Sequence, residues 1–443
     1  MSIKKLKIHF VGIGGIGVSA LAKYYLSKGN QITGSDLTVS EITQDFAKRG
    51  VKIFIGKHSP KNLARDANLV IYSPAALENN PELKEARRLG IKCQSYPQAL
   101  GELTKKYFTI AVAGTHGKST TTAMIGLILK KARLDPTVIV GTKLKEFQNS
   151  NCRVGKSQYL VIEADEHMAS FLNYWPKIIV LTAVEADHLD YYKNFKNYVS
   201  SFKKFISHLT SKDYLVSNND DRIISQIKNK KLKIKNYTLK QKEVKKLRKV
   251  LRIPGKHNIS NALAALKVAR ILKIPDSVSF LALAQYRGAW RRFDENQMKI
   301  KNWKIKTISD YAHHPTEIKV TLKAAKEKYQ KKRIWCVFQP HQYQRTYYLF
   351  KEFVKCFKKA PVDKIIITDI YEVAGRENKK IKEKVSSEKL VKAINSKKVN
   401  YLPSIEQAIN FIKERVKKED VIIFMGAGDI YSKTKKFLLD NRA

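Results

Sequence analysis

The stretch "GTHGKS", Gly114 to Ser119, has the makings of a loop that holds phosphate: glycines that let backbone come close, a lysine, and a hydroxyl beside it. Lys118 would reach the β and γ phosphates of ATP and Ser119 would ligate Mg2+, with Thr115, His116, Gly117 and Thr120 completing the turn. The general pattern has glycine where this chain has Val112. An earlier turn, "GIGGIG", supplies Gly12, Gly14, Gly15 and Gly17 between a strand pattern and a helix pattern. Such a turn brings backbone N–H groups to a pyrophosphate at a helix N-terminus. Asp36 closes the following strand, where a ribose-binding acid is expected. Alone, this turn reads as a nicotinamide fingerprint, but the pattern does not say which nucleotide is held. Both turns together suit an ATP-driven enzyme whose substrate itself contains a pyrophosphate.

Two acidic clusters could hold the metal. "VIEADEHMASF" places Glu163, Asp165 and Glu166 at one strand end, and "TAVEADHLDYY" places Glu185, Asp187, His188 and Asp190 at the next. Groups at the C-terminal ends of parallel strands face the crevice where ligands bind. Mg2+ beside phosphates wants oxygen ligands and tolerates an imidazole. For any single acid, a solvated or helix-capping role competes with this one.

These groups must be positioned by alternating strands and helices. Strand patterns "KIHFVGIG", "QITGSD", "VKIFIG" and "DANLVIYSP" alternate with helix patterns such as "VSALAKYYLSKG" and "EITQDFAKRG". A second series opens at "YFTIAVAG" and runs through "YLVIEAD", "KIIVLTAV", "DYLVSNND" and the helix "NISNALAALKVARIL". A third begins near Lys304 with "IKTISDYAHHPTEIKVTLKAAKEK", then "RIWCVFQP", "KIIITDIY" and "DVIIFMGAGDIYSK". The fold class is therefore α/β, in three successive units, which suits 443 residues. The Lys-rich stretch 228–252 is the nearest thing to a variable segment.

Composition limits the remaining readings. No apolar run is long enough for a membrane span, and the basic start leads into a strand rather than a signal peptide. Four cysteines without metal-ligand spacing suit a reduced, cytoplasmic setting. The formal charge of +46 raises the question of nucleic acid. The cations are mostly lysine and scattered over every unit, which reads as a solvated surface, with attraction of an anionic substrate left open as a further effect. No nucleic-acid partner is expected.

The chain resembles the Mur ligase family of peptidoglycan synthesis from end to end. The likeness rests on "GIGGIG", "GSD", "AGTHGKSTTTAM", "EADE" with "ASFL", "EADHLD", "PGKHNISNALAA", "GAWRRFD", "DYAHHPTEI", "FQPHQYQRT", "DIYEVAGRE" and "GAGDI", in that order. It implies three domains: a Rossmann-like UDP-sugar domain over 1–104, a P-loop ATPase over 105–294 and a Rossmann-like ligase domain over 295–443. It implies that Gly12, Gly14, Gly15 and Gly17 hold a UDP diphosphate rather than NAD, with Asp36 near the nucleoside. Gly114 to Thr120 would serve ATP, with Lys118 catalytic; Ser119, Glu163 and His188 would be the Mg2+ ligands. Asn258 and Asn261 would lie beside the nucleotide, and Arg292, Asp310 and His313 would close over ATP. His341 and Arg345 would face the amino acid and the sugar carboxylate, and Glu163, His188 and Arg345 would be catalytic together with Lys118.

The implied substrates are UDP-N-acetylmuramate and L-alanine, joined with ATP by a monomer or weak homodimer. The alternatives are ligation of a preformed tripeptide to the same UDP-sugar and, from other classes, a nicotinamide oxidoreductase or a basic nucleic-acid-binding ATPase. The chain departs from the family pattern at His167 and Met168, where Ser and Asp are usual, and at Ser309 and Ala312, where an acid and a glycine are usual. The strands commonly found between Asp221 and Pro254 are expected to be trimmed.

Overall fold

The computed structural model describes residues 5–76, 78–227, 231–373 and 379–440. They form three sheets. The first contains β1 (Lys7–Val11), β2 (Gln31–Asp36), β3 (Lys52–Ile55), β4 (Leu69–Tyr72) and β5 (Lys92–Ser95). Its order is β3-β2-β1-β4-β5, and the paired strands run parallel. The order reverses beside β1, which is where the first glycine turn leaves the sheet.

The second sheet contains β6 (Phe108–Ala113), β7 (Thr137–Leu144), β8 (Ser150–Arg153), β9 (Tyr159–Ala164), β10 (Ile178–Leu181), β11 (Tyr214–Asn218) and β12 (Lys233–Tyr237). Its order is β12-β11-β10-β6-β9-β7-β8, parallel except for the β7–β8 hairpin. β6 stands between β9 and β10, so the loop after it is flanked by the C-terminal ends of those two strands. Ile110, Ala111, Val112 and Ala113 are all buried, as expected of a central parallel strand covered on both faces. Val112 lies inside β6 opposite Glu163, which explains the missing glycine: the turn proper begins two residues later.

The third sheet contains β13 (Asp294–Ile300), β14 (Trp303–Asp310), β15 (Ile334–Phe338), β16 (Lys364–Ile367), β17 (Val399–Tyr401) and β18 (Val421–Met425). Its order is β13-β14-β18-β15-β16-β17, with the β13–β14 pair antiparallel. One apolar layer, including Ile308, Phe338, Phe353 and Ile423, fills one face. A second, including Trp335, Ile366, Ile409 and Phe424, fills the other.

By contacts the chain divides into two compact units. One comprises Met1–Glu185, Lys196–Val250 and Ser260–Tyr286, and holds the first two sheets. The other comprises Ala186–Phe195, Leu251–Ile259 and Arg287–Ala443, and holds the third. Within the first unit the helix Ile16–Ser27 is tied to β8, because Asn151 donates to the Ile16 carbonyl at 2.6 Å and to Ser19 Oγ at 2.8 Å. Between Asp221 and Pro254 the described residues include β12 and two short helices, Arg222–Ile227 and Glu243–Val250. That segment keeps one strand of its sheet.

Candidate active site

The first glycine turn is built differently from the expectation for Gly14. Gly12 has φ +77°, a conformation that favours glycine, and its N–H donates to the Ser35 carbonyl at 2.9 Å. The Gly14 N–H donates to Asp36 Oδ2 at 2.8 Å, and Gly15 donates to the Gly12 carbonyl at 3.1 Å. The amides of the turn are thus spent on bracing it. An anion would find the first-turn amides of the helix Ile16–Ser27, which begins at Gly15 without a side-chain cap. Gly17 is a packing glycine: a Cβ there would meet Tyr96 Cζ at 2.9 Å. Asp36 sits at the end of β2 as the spacing required, with one carboxylate oxygen closing the turn.

Ser35 beside it belongs to a buried network. Glu82, fully buried, accepts from Ser35 Oγ at 2.5 Å and Asn62 Nδ2 at 2.6 Å, and contacts His9 Nε2 and His58 Nδ1, each at 3.1 Å. Burial would raise this carboxyl, yet the bonds from His9, Ser35 and Asn62 hold it at about 2. Nothing in the sequence pattern singled out Glu82.

The second turn follows β6. Gly114 has φ +136° and leaves no room for a side chain against Thr182 and Ala183. Gly117 has φ +83° and begins the helix Lys118–Lys131, again without a side-chain cap. A Cβ on Gly117 would meet Asn261 Oδ1 at 2.5 Å, so Asn261 does lie against the loop. Asn258, in the first turn of its helix, donates to the Pro254 carbonyl at 2.6 Å. Ser119 and Thr120 are buried in the first turn of their helix. His116 Nε2 lies 3.6 Å from Glu185 Oε2. Lys118 Nζ donates to the Gly114 carbonyl at 2.7 Å and to both oxygens of Glu166, at 2.8 and 3.1 Å. Burial would lower this ammonium, but Glu166 and Asp165 raise it above the usual lysine value.

The donors proposed for a divalent cation are hard oxygens plus one imidazole, a set that fits Mg2+. In the first unit these are Ser119 and Glu163; Glu163 Oε1 also accepts from the Gly141 N–H at 2.7 Å. His188 belongs to the second unit, where it opens a short helix at φ +52°. At one family departure, Met168, the backbone adopts φ +52°, and Ala169 beside it φ +53°. Aspartate tolerates that conformation better than methionine does.

In the second unit Asp187 and Arg345 form a buried pair. Arg345 Nε and Nη2 approach Asp187 Oδ1 at 3.4 and 3.3 Å, and Nη1 donates to the His341 carbonyl at 3.3 Å. Burial would raise Asp187, but Arg345, then His188, holds it well below the usual carboxylate range. A small cavity of about 20 Å³ lies here, lined by Asp187, His188, Gln342, Arg345 and Tyr348 among others. His341 and Arg345 are thus brought together with Asp187 and His188.

Asp310 is a corner post. Its two oxygens accept the N–H groups of Phe293 and Ala312, each at 2.8 Å, and burial raises it to about 6. His313 Nδ1 hydrogen-bonds to the Tyr311 carbonyl at 3.0 Å, and burial lowers the imidazole to about 4. The two arginines of "GAWRRFD" divide their labour. Arg291 is buried, donates to the Gly426 carbonyl at 2.6 Å and stacks near Trp290, Tyr311 and Tyr431. Arg292 is partly exposed and lies 3.6 Å from Glu317 Oε1. Ala312 is fully buried. "DIYEVAGRE" falls partly outside the described residues. Sequence reasoning missed Glu166 and Asp187 as anchors for Lys118 and Arg345; each stood in an acidic cluster without a signal separating it from its neighbours.

Two glycine turns at uncapped helix N-termini, one with a lysine, on parallel sheets followed by a third α/β layer, define the class. Models of the Mur ligase family match the chain three times: "Mur ligase family, catalytic domain" over 7–108, "Mur ligase middle domain" over 112–250 and "Mur ligase, glutamate ligase domain" over 291–428. The chain belongs to the Mur ligase family. Among its relatives, UDP-N-acetylmuramate–L-alanine ligase of Acetivibrio thermocellus is 40% identical, covering 98% of this chain and 96% of the relative. The crystal structure of UDP-N-acetylmuramate-alanine ligase from Thermotoga maritima matches with a TM-score of 0.81 at 29% identity, covering 98% of this chain and 99% of that one. A murein peptide ligase from Psychrobacter arcticus shares the fold, with a TM-score of 0.73 at 22% identity over 99% and 100% of the two chains. Family membership decides against the oxidoreductase reading. Among the described residues no helix is long and apolar enough to cross a membrane.

Proposed function

We propose that this chain joins L-alanine to UDP-N-acetylmuramate in the cytoplasm, with ATP converted to ADP and phosphate. The observation that carries the reading is the pair of uncapped, glycine-started helix N-termini in one unit, only the second of which bears a lysine at its mouth. The first suits a diphosphate that is bound and left intact. The second suits a triphosphate whose terminal group is transferred. We assign the UDP-sugar, ATP and ligation roles to residues 1–104, 105–294 and 295–443 in that order; the last cut falls just after Asp294, the first residue of β13.

A carboxylate is a poor acylating agent because its leaving group would be oxide. Transfer of the γ-phosphoryl group to a carboxylate oxygen of the sugar gives an acyl phosphate and ADP. The amine of alanine then attacks the carbonyl carbon, loses a proton, and inorganic phosphate departs. Lys118 and the amides of its helix spread the charge on the phosphates. Ser119, Glu163 and His188 are the residues that would hold Mg2+, which when bound neutralises phosphate charge. Arg345, oriented by Asp187 and His341, supplies a cation for a substrate carboxylate. We assign Asn258, Asn261, Arg292 and His313 to the nucleotide surroundings, with Asp310 acting behind them by holding the Phe293 and Ala312 amides. Isotope transfer tests the intermediate: with an 18O-labelled sugar carboxylate, one labelled oxygen should appear in the released phosphate. Phosphate free of label rules out the acyl phosphate route.

A further inference from the structure

The partner held by Lys118 carries a consequence for how nucleotide is admitted. We propose that Glu166 makes nucleotide binding at the Gly114–Thr120 loop depend on a divalent cation, acting as a positioning residue that disfavours the bare polyphosphate. The inference rests on the reading of that loop as the ATP site.

The Lys118 ammonium is surrounded by protein oxygens: Glu166 Oε2 at 2.8 Å, Oε1 at 3.1 Å, the Gly114 carbonyl at 2.7 Å and the Thr115 carbonyl at 3.4 Å. Glu166 is 1% exposed, so this carboxylate has almost no water to fall back on. It is also held in place from elsewhere. Tyr198 OH, on the helix Phe195–Ile206, reaches Glu166 Oε1 at 3.3 Å and Thr115 Oγ1 at 2.8 Å. Thr115 Oγ1 in turn accepts the Glu185 N–H at 2.9 Å. The acid, the loop and Glu185 in the segment after β10 are therefore braced as one piece, and Glu166 has little freedom to swing away.

A triphosphate on the loop competes for the same ammonium. As Lys118 turns toward phosphate oxygens, a buried carboxylate is left beside a polyanion, which is costly without a compensating cation. A divalent cation arriving with the nucleotide supplies that compensation, whichever oxygens ligate it. Glu166 thus sets a penalty on metal-free nucleotide that the metal complex avoids. This role differs from that of a metal ligand, since removing a ligand weakens the metal complex and removing Glu166 strengthens the metal-free one.

Calorimetric titration of ATP, in EDTA and in Mg2+, tests the proposal on wild type, Glu166→Gln, Glu166→Asp and Lys118→Ala, with melting temperatures recorded for each. Glu166→Gln should tighten metal-free ATP binding by about tenfold or more and change binding of the Mg2+ complex by much less. Glu166→Asp keeps the charge and should keep the wild-type preference for the metal complex. If the Gln variant does not fold, Glu166→Ser, which leaves space for water, should show the same tightening. A folded Gln or Ser variant whose metal-free affinity is unchanged or weaker overturns the proposal. If Lys118→Ala binds ATP like wild type in both buffers, the loop reading itself is wrong, and the failure lies there.

Discussion

Replacing Gly14 by alanine puts a methyl carbon 2.8 Å from Asp36 Oδ2, 3.2 Å from Asp36 Cγ and 3.2 Å from Thr43 Cγ2. The backbone there is not in a glycine-only conformation, so the cost comes from the neighbours and not from φ. Asp36 must withdraw, and its bond from the Gly14 N–H at 2.8 Å is lost or lengthened. A hydrogen bond to a charged group contributes about 1.5–3 kcal/mol. Losing the brace that shapes the first helix N-terminus should therefore raise the KM for UDP-N-acetylmuramate by roughly 10- to 150-fold. ATP binding at Lys118 should be nearly unchanged, because the perturbed contacts are Asp36 of β2 and Thr43 of the helix Glu41–Lys48 that follows it. Steady-state kinetics with each substrate varied in turn, plus ATP titration of the variant, make the measurement. An unchanged KM for the UDP-sugar, or an equal loss for ATP, refutes this allocation of the two turns.

Other perturbations separate structural from chemical roles. Lys118→Ala should abolish turnover and also destabilise the protein by about 3–5 kcal/mol, because Glu166 is left buried without its cation. The double variant with Glu166→Gln should recover much of the melting temperature while staying inactive. Arg345→Ala leaves the buried Asp187 carboxylate exposed to the same penalty, so activity and melting temperature should fall together, whereas Asp187→Asn with Arg345 intact should lose less stability. Asp310, raised to about 6 by burial, keeps its proton in the folded chain at pH values where the unfolded chain has released it. Its ionisation should thus cost stability progressively from about pH 4 to about pH 6, with the full penalty above. Melting curves of wild type against Asp310→Asn across that range check the sign: wild type should gain stability relative to the variant as pH falls from about 6 to about 4, and a pH-independent difference disagrees.

The parts of this fold that were legible in sequence are those where one residue type answers one physical demand. The apolar runs ending in glycine marked β1 and β6, and Gly12, Gly114 and Gly117 occupy the positive-φ positions that only glycine fills cheaply. The edge elements were harder. β8 reads "SNCR" and β13 reads "DENQMKI", polar strings whose strand character comes from a partner across the hairpin, and their own composition hides it. At the site, types and spacing marked Lys118, Glu163 and His188, but not which neighbour anchors each cation. Glu166 and Asp187 are distinguished by burial and direction, which depend on how their loops close. Asp310 shows the reverse: a polar residue in a functional-looking motif whose oxygens are both occupied by backbone of its own unit.

The central claim is the ligation itself, and phosphate release tests it most directly. Purified protein with ATP and Mg2+ should release phosphate only when UDP-N-acetylmuramate and L-alanine are both present, in step with formation of the UDP-N-acetylmuramoyl-alanine amide. Release that requires the preformed tripeptide in place of L-alanine, or that ignores the UDP-sugar, would contradict the account.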